Sequence, residues 1–447
     1  MPLENRRFFV IILLIFLVYA TGRVISSLPA LNDPRSLADT TAYLRISRQP
    51  LSDFEFWTGA RPFVFPLLLK LAKQSAPVAA ALQLGGSILV WGLLAWMTTR
   101  FIESRWLKVL AFGLILLFSL DRHITGWDFV MLTESLSISF LVLFIALFMW
   151  LLHGWQTRKV ILLLLTAILF AFTRDTNAWM LLALAGIIVL TTILRWTPPR
   201  TLVLSVFFLV IFLLSNTSAD LGGRWRFPLG NLIGQRVLTN GSATEYFRAC
   251  GMPVTDALAR LSGRFANAND RALYNDPELE SFRTWLFSEG KSCYMQWLIT
   301  HPVYSIGETL QEFDGLIAFS QVDRYFSRRF DPLMPVALGK FFYLEEFSLG
   351  IWIYVTAALG IAIWKKLWQE NPLWSVFICL ALLVFPHLFL TWHGDAMAPE
   401  RHALSVGVQF YLAFWLLNIL LVDVFLRRRR PMPVKDREDH GTEQTGK

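Results

Sequence analysis

The chain has 447 residues, of which 55% are hydrophobic and only 17% are charged. Soluble domains average roughly 45–50% apolar and about 25% charged residues, so this composition argues against a soluble protein and favours one surrounded by lipid. A net charge of +8 would suit nucleic acid, but the basic residues stand at the ends of apolar segments, where membrane orientation explains them. We therefore expect contact with membrane lipids and no nucleic-acid partner.

The first apolar segment, 8–28, follows the basic pair Arg6 and Arg7. Such a start also fits a cleavable signal peptide, yet no A-x-A cleavage pattern follows the apolar run. We therefore predict an uncleaved first transmembrane helix.

Ten segments in all are apolar enough to be spans, given that about 20 residues cross a bilayer. In chain order they are 8–28, 77–99, 105–120, 129–153, 159–173, 176–195, 201–218, 346–364, 373–393 and 402–426.

The short connections between these spans alternate in charge. Those at 100–105, 156–159, 195–200, 365–366 and 427–430 each carry at least two Lys or Arg, whereas the others are mixed in sign. Basic loops stay in the cytoplasm. The pattern therefore predicts a multi-pass protein of the cell inner membrane with cytoplasmic N- and C-termini.

Two long connections then fall on the outer side. The first, 29–77, contains an amphipathic helix at 36–47 and a short apolar helix at 63–71. The second, 219–344, is polar with helical patches and is large enough for a small domain. The predicted fold class is an all-α polytopic membrane protein of about ten transmembrane helices, with juxtamembrane helices in the first outward loop and one large, mostly helical outward loop.

This fold divides the chain into four parts. Residues 1–218 form a transmembrane core that includes the first loop, 219–344 the large loop, and 345–426 the C-terminal transmembrane helices. The charged tail, 427–447, is expected to be cytoplasmic and disordered.

Two of the three cysteines, Cys250 and Cys293, lie in the large loop. An oxidising compartment permits them to pair, so we predict a disulfide, with two separately buried thiols as the alternative. Cys379 lies within a span, where it is expected to pack as an apolar residue.

Charged residues near spans are costly unless they are paired or functional, and Asp39 is the leading candidate for function. In a helix it shares a face with Tyr43, four residues on, and a carboxylate there can act as a general base. The alternative is a helix cap, because Ser36 and Asp39 fit the S-x-x-D capping pattern.

Four further candidates lie in or beside the connections on the predicted outer side, and each has a structural alternative. Arg61, before an apolar helix, could be an interfacial anchor. Glu134 could simply be an acid in the first turn of a helix, where the helix dipole favours a carboxylate. Arg174 lies in a hairpin too short for two full spans, so it is recessed and suited to phosphate, although pairing with its neighbour is the default. Arg401 could clamp a phosphate or pair with Glu400 at the rim.

Several chemistries are disfavoured. The sequence has no P-loop, Rossmann glycine pattern, G-x-S-x-G or H-E-x-x-H, and the predicted outward polar surface argues against a nucleotide-sugar donor. His393 and Asp395 could bind a metal, but two candidate ligands do not define a site. We therefore expect no cofactor and leave a metal open.

Taken in chain order, the short sequence motifs around these candidate residues resemble those of the GT-C glycosyltransferases, a superfamily that includes protein O-mannosyltransferases and the lipid A aminoarabinose transferase. Members carry an acid followed by Tyr on a juxtamembrane helix, matched by Asp39 and Tyr43, and then an R-P-P-L-Y-P-L-L-like segment, matched at 61–68. A T-E-P-L-like helix start, an Arg-containing turn and an R-Y-L-L-P-like helix start are matched at 133–136, 173–175 and, loosely, 401–404.

The resemblance, which covers 8–218 and more weakly 345–426, implies an activity. It implies inverting transfer of a sugar from a polyprenyl-phosphate carrier to a hydroxyl of a glycan, lipid or protein on the outer face, with Asp39 as general base. The implied substrate-binding residues are Tyr43, Arg61, Glu134, Arg174, Arg401 and His402. Tyr246, Trp285, Tyr294 and Trp297 of the large loop are expected to shape the acceptor site.

Two other functions stay open from the sequence. Polymerases and ligases of lipid-linked glycans also carry one large outward loop. A lipid or solute transporter is the non-enzymatic alternative, although the chain shows no internal repeat of the kind many transporters have.

Overall fold

The computed structural model describes residues 3–266, 273–317 and 322–428. Within these ranges the chain is helical throughout and has no β-strand, apart from an isolated bridge between Arg35 and Val130. The main helices are α1 (Leu3–Leu31), α2 (Ala38–Arg48), α3 (Val64–Leu71), α4 (Ala76–Thr99), α5 (Arg105–Ser119), α6 (Glu134–Leu152), α7 (Thr157–Ala171), α8 (Asp175–Ile193), α9 (Leu202–Leu221), α10 (Lys291–Thr300), α11 (Pro302–Gln311), α12 (Ser348–Trp364), α13 (Leu373–Gly394) and α14 (Leu404–Arg428).

Seven of the described helices are long and apolar enough to cross a membrane: α1, α4, α6, α8, α9, α13 and α14. The protein is therefore an all-α, multi-pass membrane protein. The juxtamembrane helices expected in the first long connection are α2 and α3.

The other three predicted spans are helices too, but short ones. α5 and α7 have 15 residues each and α12 has 17, and a 15-residue helix is only about 22 Å long, less than the roughly 30 Å of the hydrocarbon core. Helix Val336–Tyr343 meets α12 at a bend of 40°, and only the two helices together are long and apolar enough to cross a membrane. By length and composition, the described helices thus include seven candidate spans, or eight with this bent pair, and the predicted count of ten is not confirmed.

The spans pack around a common core. α4 lies against α1, α5 and α6, α8 lies against α9 and α13, and α13 against α14. The apolar side chains on the outer faces of α1 and α9, such as Val18 and Leu214, are exposed, as expected where lipid is the solvent.

One ion pair is enclosed by this packing, and we refer to Arg23 and Asp128 as the buried pair. Both side chains are 2% exposed. Arg23 also donates to the hydroxyls of Tyr19 and Ser87, while Ser135 donates to the second carboxylate oxygen of Asp128 at 2.6 Å. The pair links α1 to the segment that precedes α6.

The connections predicted to be cytoplasmic lie together at one end of the bundle. Arg427 contacts Glu103 at 2.9 Å, and Asn371 donates to the carbonyl of Phe101 at 2.9 Å. The ring of Phe101 stacks on His153, and the rings of Trp196 and Trp368 are 5.0 Å apart. Arg427 and Arg428 belong to α14, and the rest of the predicted tail lies outside the described residues.

The second long connection, 219–344, is called the large segment below. Its described residues form short helices around an apolar cluster that is separate from the core of the bundle and includes Phe247, Phe282 and Leu286. Cys250 and Cys293 are joined by a disulfide, with their Cα atoms 6.2 Å apart. The predicted pairing is therefore confirmed. Cys379, in α13, is the free cysteine.

Candidate functional site

A cavity of about 360 Å³ lies between the bundle and the large segment, at the helix ends opposite the basic connections. All seven residues selected from the sequence line it: Asp39, Tyr43, Arg61, Glu134, Arg174, Arg401 and His402. They come from four separate connections, so the fold brings together residues up to 363 positions apart (402 − 39).

Helix ends aim several of these side chains at the cavity. Asp39 is in the first turn of α2, Glu134 is the first residue of α6, and Arg174 is the residue that precedes α8. Arg401 lies in the short helix Pro399–His402, ahead of α14. The N-termini of α6 and α8 both face the cavity, and helix N-termini favour anions.

Asp39 is held by two guanidinium groups. Its Oδ1 accepts from Arg61 at 2.7 Å, and its Oδ2 lies 3.3 Å from both terminal nitrogens of Arg401. The capping alternative for Asp39 is wrong, because the backbone N–H of Leu37 donates to the Thr40 hydroxyl at 2.9 Å instead.

Glu134 is the most buried acid of the site, with a side chain 2% exposed. Its Oε1 lies 3.3 Å from Arg401 Nε and 3.7 Å from Arg174 Nη2. Within the described part of the chain, Glu134 Oε2 and Arg401 Nε have no hydrogen-bond partner. We call Asp39, Arg61, Glu134, Arg174 and Arg401 the cavity cluster.

Charge in the cluster fixes the protonation state of Arg401. Burial disfavours its cation, but the carboxylates of Glu134 and Asp39 outweigh burial and raise the pKa of Arg401. Arg401 is therefore a permanent cation, and its guanidinium lies 5.8 Å from the ring of Tyr325.

His402 supports Arg174 as a neutral base. Burial, together with the cations of Arg174 and Arg401, holds the pKa of His402 well below its ordinary value, so its Nδ1 accepts a hydrogen bond from Arg174. The other ring nitrogen is 4.0 Å from Asp395 Oδ2. Burial raises the pKa of Asp395, although Asn231 and the backbone of Met397 donate to its Oδ1.

The expected pairs between sequence neighbours do not form. Asp175 accepts two hydrogen bonds from Arg224, at 2.9 and 3.0 Å, and this leaves Arg174 to face the cavity. Likewise Glu400 pairs with Arg324, and this leaves Arg401 to the cavity cluster. The sequence reasoning missed Arg224, whose one available signal was its position directly after α9.

The wall away from the charges is apolar. It is formed by α8, α9, α10, α13 and the start of the large segment, through Trp179, Ala219, Leu229, Leu232, Met295, Leu298, Phe389 and Leu390. The cavity therefore has one charged end and one apolar end.

The four aromatic residues expected to shape the acceptor site do not lie together at the cavity. Trp285 and Trp297 are 7% and 3% exposed and pack with Tyr246 around the core of the large segment; of the four, among the described residues, Tyr294 alone lines the cavity. Its hydroxyl lies 3.2 Å from Nδ1 of His393.

A metal site is not apparent in the described ranges, where no group of three or more His, Cys, Asp or Glu side chains is suitably clustered. His393 and Asp395, the two candidates from the sequence, have different partners. The Nε2 of His393 lies 2.9 Å from the carbonyl oxygen of Ser305, and Asp395 is engaged by Asn231.

Comparison with known proteins adds no family assignment: no protein-family model matches the chain, and no curated protein is significantly similar to it. The geometry of the cavity therefore carries the argument about function. Among the described residues, the cavity combines four guanidinium groups and five carboxylates with an apolar wall, at the ends of membrane helices.

Proposed function

We propose that this protein is an inner-membrane glycosyltransferase that moves a sugar from a polyprenyl-phosphate carrier to an acceptor hydroxyl. The observation that carries the proposal is the two-sided cavity. Arg61, Arg174 and Arg401 converge at one end and apolar side chains line the other. An amphiphile with an anionic head and a hydrocarbon tail complements both ends.

Arginine suits the head group of such a donor, because its planar guanidinium offers several donors to a phosphate. Arg174 and Arg401, whose side chains are 10% and 15% exposed, both line the cavity, so their guanidinium groups are within reach of a bound head group. A bound phosphate would compete with Asp39 for Arg401 and so release that carboxylate.

The proposed reaction is a single displacement. The acceptor oxygen forms a bond to the anomeric carbon as the bond from that carbon to the phosphate oxygen breaks, and the configuration inverts. Asp39 takes the acceptor proton. Arg174 and Arg401 stabilise the charge that develops on the departing polyprenyl phosphate.

The remaining residues position these groups. Tyr43 holds the guanidinium of Arg61 over its ring, 5.5 Å from the centroid, and His402 fixes the direction of Arg174 through its hydrogen bond. Glu134 lies between Arg174 and Arg401 and keeps two like charges close together. The acceptor would be a glycan, lipid or protein hydroxyl that enters from the side of the large segment.

The proposed orientation has both termini in the cytoplasm. It is supported by the gathering of the basic connections at the end of the bundle opposite the cavity, because basic loops stay on the cytoplasmic side. The cavity would then open to the outer side, where polyprenyl-linked sugars serve as donors without nucleotides.

The test is an Asp39→Asn variant in a transfer assay with a polyprenyl-phosphate sugar and no ion gradient. Loss of a general base should lower the rate roughly 10²–10⁴-fold, while thermal stability stays near that of the wild type. The matched control is Asp33→Asn, since Asp33 is 59% exposed, pairs with Arg329 and does not line the cavity in the described structure.

Two outcomes would count against this proposal. Near-normal transfer by Asp39→Asn would remove Asp39 from the mechanism. Absence of transfer by the wild-type protein with every polyprenyl-phosphate sugar tried, together with gradient-dependent movement of lipid, would replace the enzyme by a transporter.

A further inference from the structure

An apolar stripe runs along two consecutive helices of the large segment, α10 and α11. Val303 is 88% exposed and Ile299 is 73% exposed, values unusual for large aliphatic side chains. The stripe consists of Met295, Ile299, Val303, Ile306 and Leu310. Met295 and Ile299 are four residues apart in α10, and the other three are three or four residues apart in α11, so each set lies on one face of its helix.

The buried face of α11 indicates where the stripe lies relative to the membrane boundary. Ser305 and Thr309 are buried, and both contact His393: the Thr309 hydroxyl is 3.3 Å from its Nε2, and the Ser305 carbonyl is 2.9 Å from it. His393 is in the last turn of α13, a helix of 22 residues that is long enough to span. A spanning helix ends at the membrane boundary, so α11 lies at that boundary.

The charge pattern agrees with this placement. The stripe is interrupted by no charged residue, whereas Glu308 and Glu312 lie off it. Amphipathic helices at an interface bury their apolar face about 5–10 Å into the boundary between head groups and acyl chains. Soluble surfaces rarely expose a continuous apolar patch of this kind unless something covers it.

We propose that α10 and α11 form a membrane-contacting element whose apolar stripe is covered by the acyl chains of the bilayer. Met295 belongs to this stripe and also lines the cavity. The lipid-covered surface therefore reaches the rim of the cavity, and the large segment is anchored to the bilayer beside the cavity rather than held above it. This inference concerns contact with lipid and stands apart from the transfer reaction.

The test places a reporter on the stripe. A Val303→Cys variant, with Cys379→Ala to remove the free thiol and the Cys250–Cys293 disulfide kept, is labelled with a fluorophore. It is then reconstituted in vesicles of phosphatidylethanolamine and phosphatidylglycerol. The matched control is Glu245→Cys, labelled in the same way, since Glu245 is 66% exposed on the same segment and away from the stripe.

The two quenchers distinguish the possible environments. We expect the label at 303 to be quenched by lipids carrying a nitroxide on the acyl chain and to be several-fold less sensitive than the control to aqueous iodide. Equal iodide quenching at both positions would overturn the proposal. Protection from both quenchers would overturn it as well, because a second protein copy would then cover the stripe.

Discussion

Two charged clusters of this protein use the same residue types in opposite ways. In the buried pair, both carboxylate oxygens of Asp128 accept hydrogen bonds, from Arg23 and Ser135, and both side chains are almost fully enclosed. In the cavity cluster, Glu134 Oε2 and Arg401 Nε lack hydrogen-bond partners among the described residues, and Asp39 is 32% exposed.

The difference teaches which charges hold the fold and which are available to a ligand. A buried ion that already has a complete set of hydrogen-bond partners gains nothing from a further partner. Removal of one partner leaves the charge of the buried ion uncompensated. A cation on the wall of a cavity, such as Arg401, can contact an incoming anion without unfolding of the surrounding structure. The contrast gives two sets of expectations, one for stability and one for activity.

The largest expected effect is on stability, at Asp128. An Asp128→Asn change leaves the Arg23 cation buried without its counter-charge and should destabilise the protein by about 3–5 kcal/mol, measured by unfolding in an SDS titration. Activity per folded molecule should be unchanged. A double change, Arg23→Met with Asp128→Asn, should lose less than Asp128→Asn alone, because no charge is left buried. Full stability of the single variant would contradict the assignment.

The next effect is on activity, at Arg401. An Arg401→Gln change removes a donor to the departing phosphate of the proposed reaction and should slow that transfer by about 10²–10³-fold, while Asp39 keeps its hydrogen bond from Arg61. The control is Arg324→Gln, since Arg324 is 61% exposed and pairs with Glu400, the residue before Arg401. Equal losses in both variants would mean that Arg401 acts only through local structure.

The smallest effect is a pH dependence from His402. Because its pKa is lowered on folding, the unfolded chain binds a proton below about pH 6.5 that the folded chain does not. Acidification below that value should therefore destabilise the protein, by at most about 1.4 kcal/mol per pH unit. A His402→Gln variant should lose less stability between pH 7 and 5, measured by thermal unfolding. Parallel curves for the two proteins would contradict the proposed neutral state of His402.

The membrane architecture and the members of the cavity cluster could be predicted from the sequence. Charges near spans are rare, and alternating basic loops assign every connection to a side, so residues as distant as Asp39 and Arg401 could be grouped. The number of spans could not be predicted as well, because hydropathy does not say where a helix stops. The short helices α5 and α7 end after 15 residues each.

The pairing of the charges was harder to predict than their location. Arg174 with Asp175, and Arg401 with Glu400, are neighbours in sequence, but adjacent side chains on a helix do not face each other. Their real partners come from other segments. The buried pair could not be predicted from the sequence, because a single Arg23 hardly alters the mean hydropathy of an apolar segment. Its partner, Asp128, lies 105 residues away. The large aromatic residues Trp285 and Trp297 pack in the core of the segment, where burial of their rings stabilises most.

The bond between Asp175 and Arg224 also bears on how the protein is made. Arg174 and Asp175 leave the ribosome together, 49 residues before Arg224, so an Asp175 carboxylate without Arg224 has Arg174 as its nearest cation in sequence. Arg174 is then free to face the cavity only after α9 has inserted and Arg224 has docked. The cationic end of the cavity is complete later still, because Arg401 stands just ahead of α14, so lipids in the surrounding bilayer would meet the finished cavity only once translation had reached that helix.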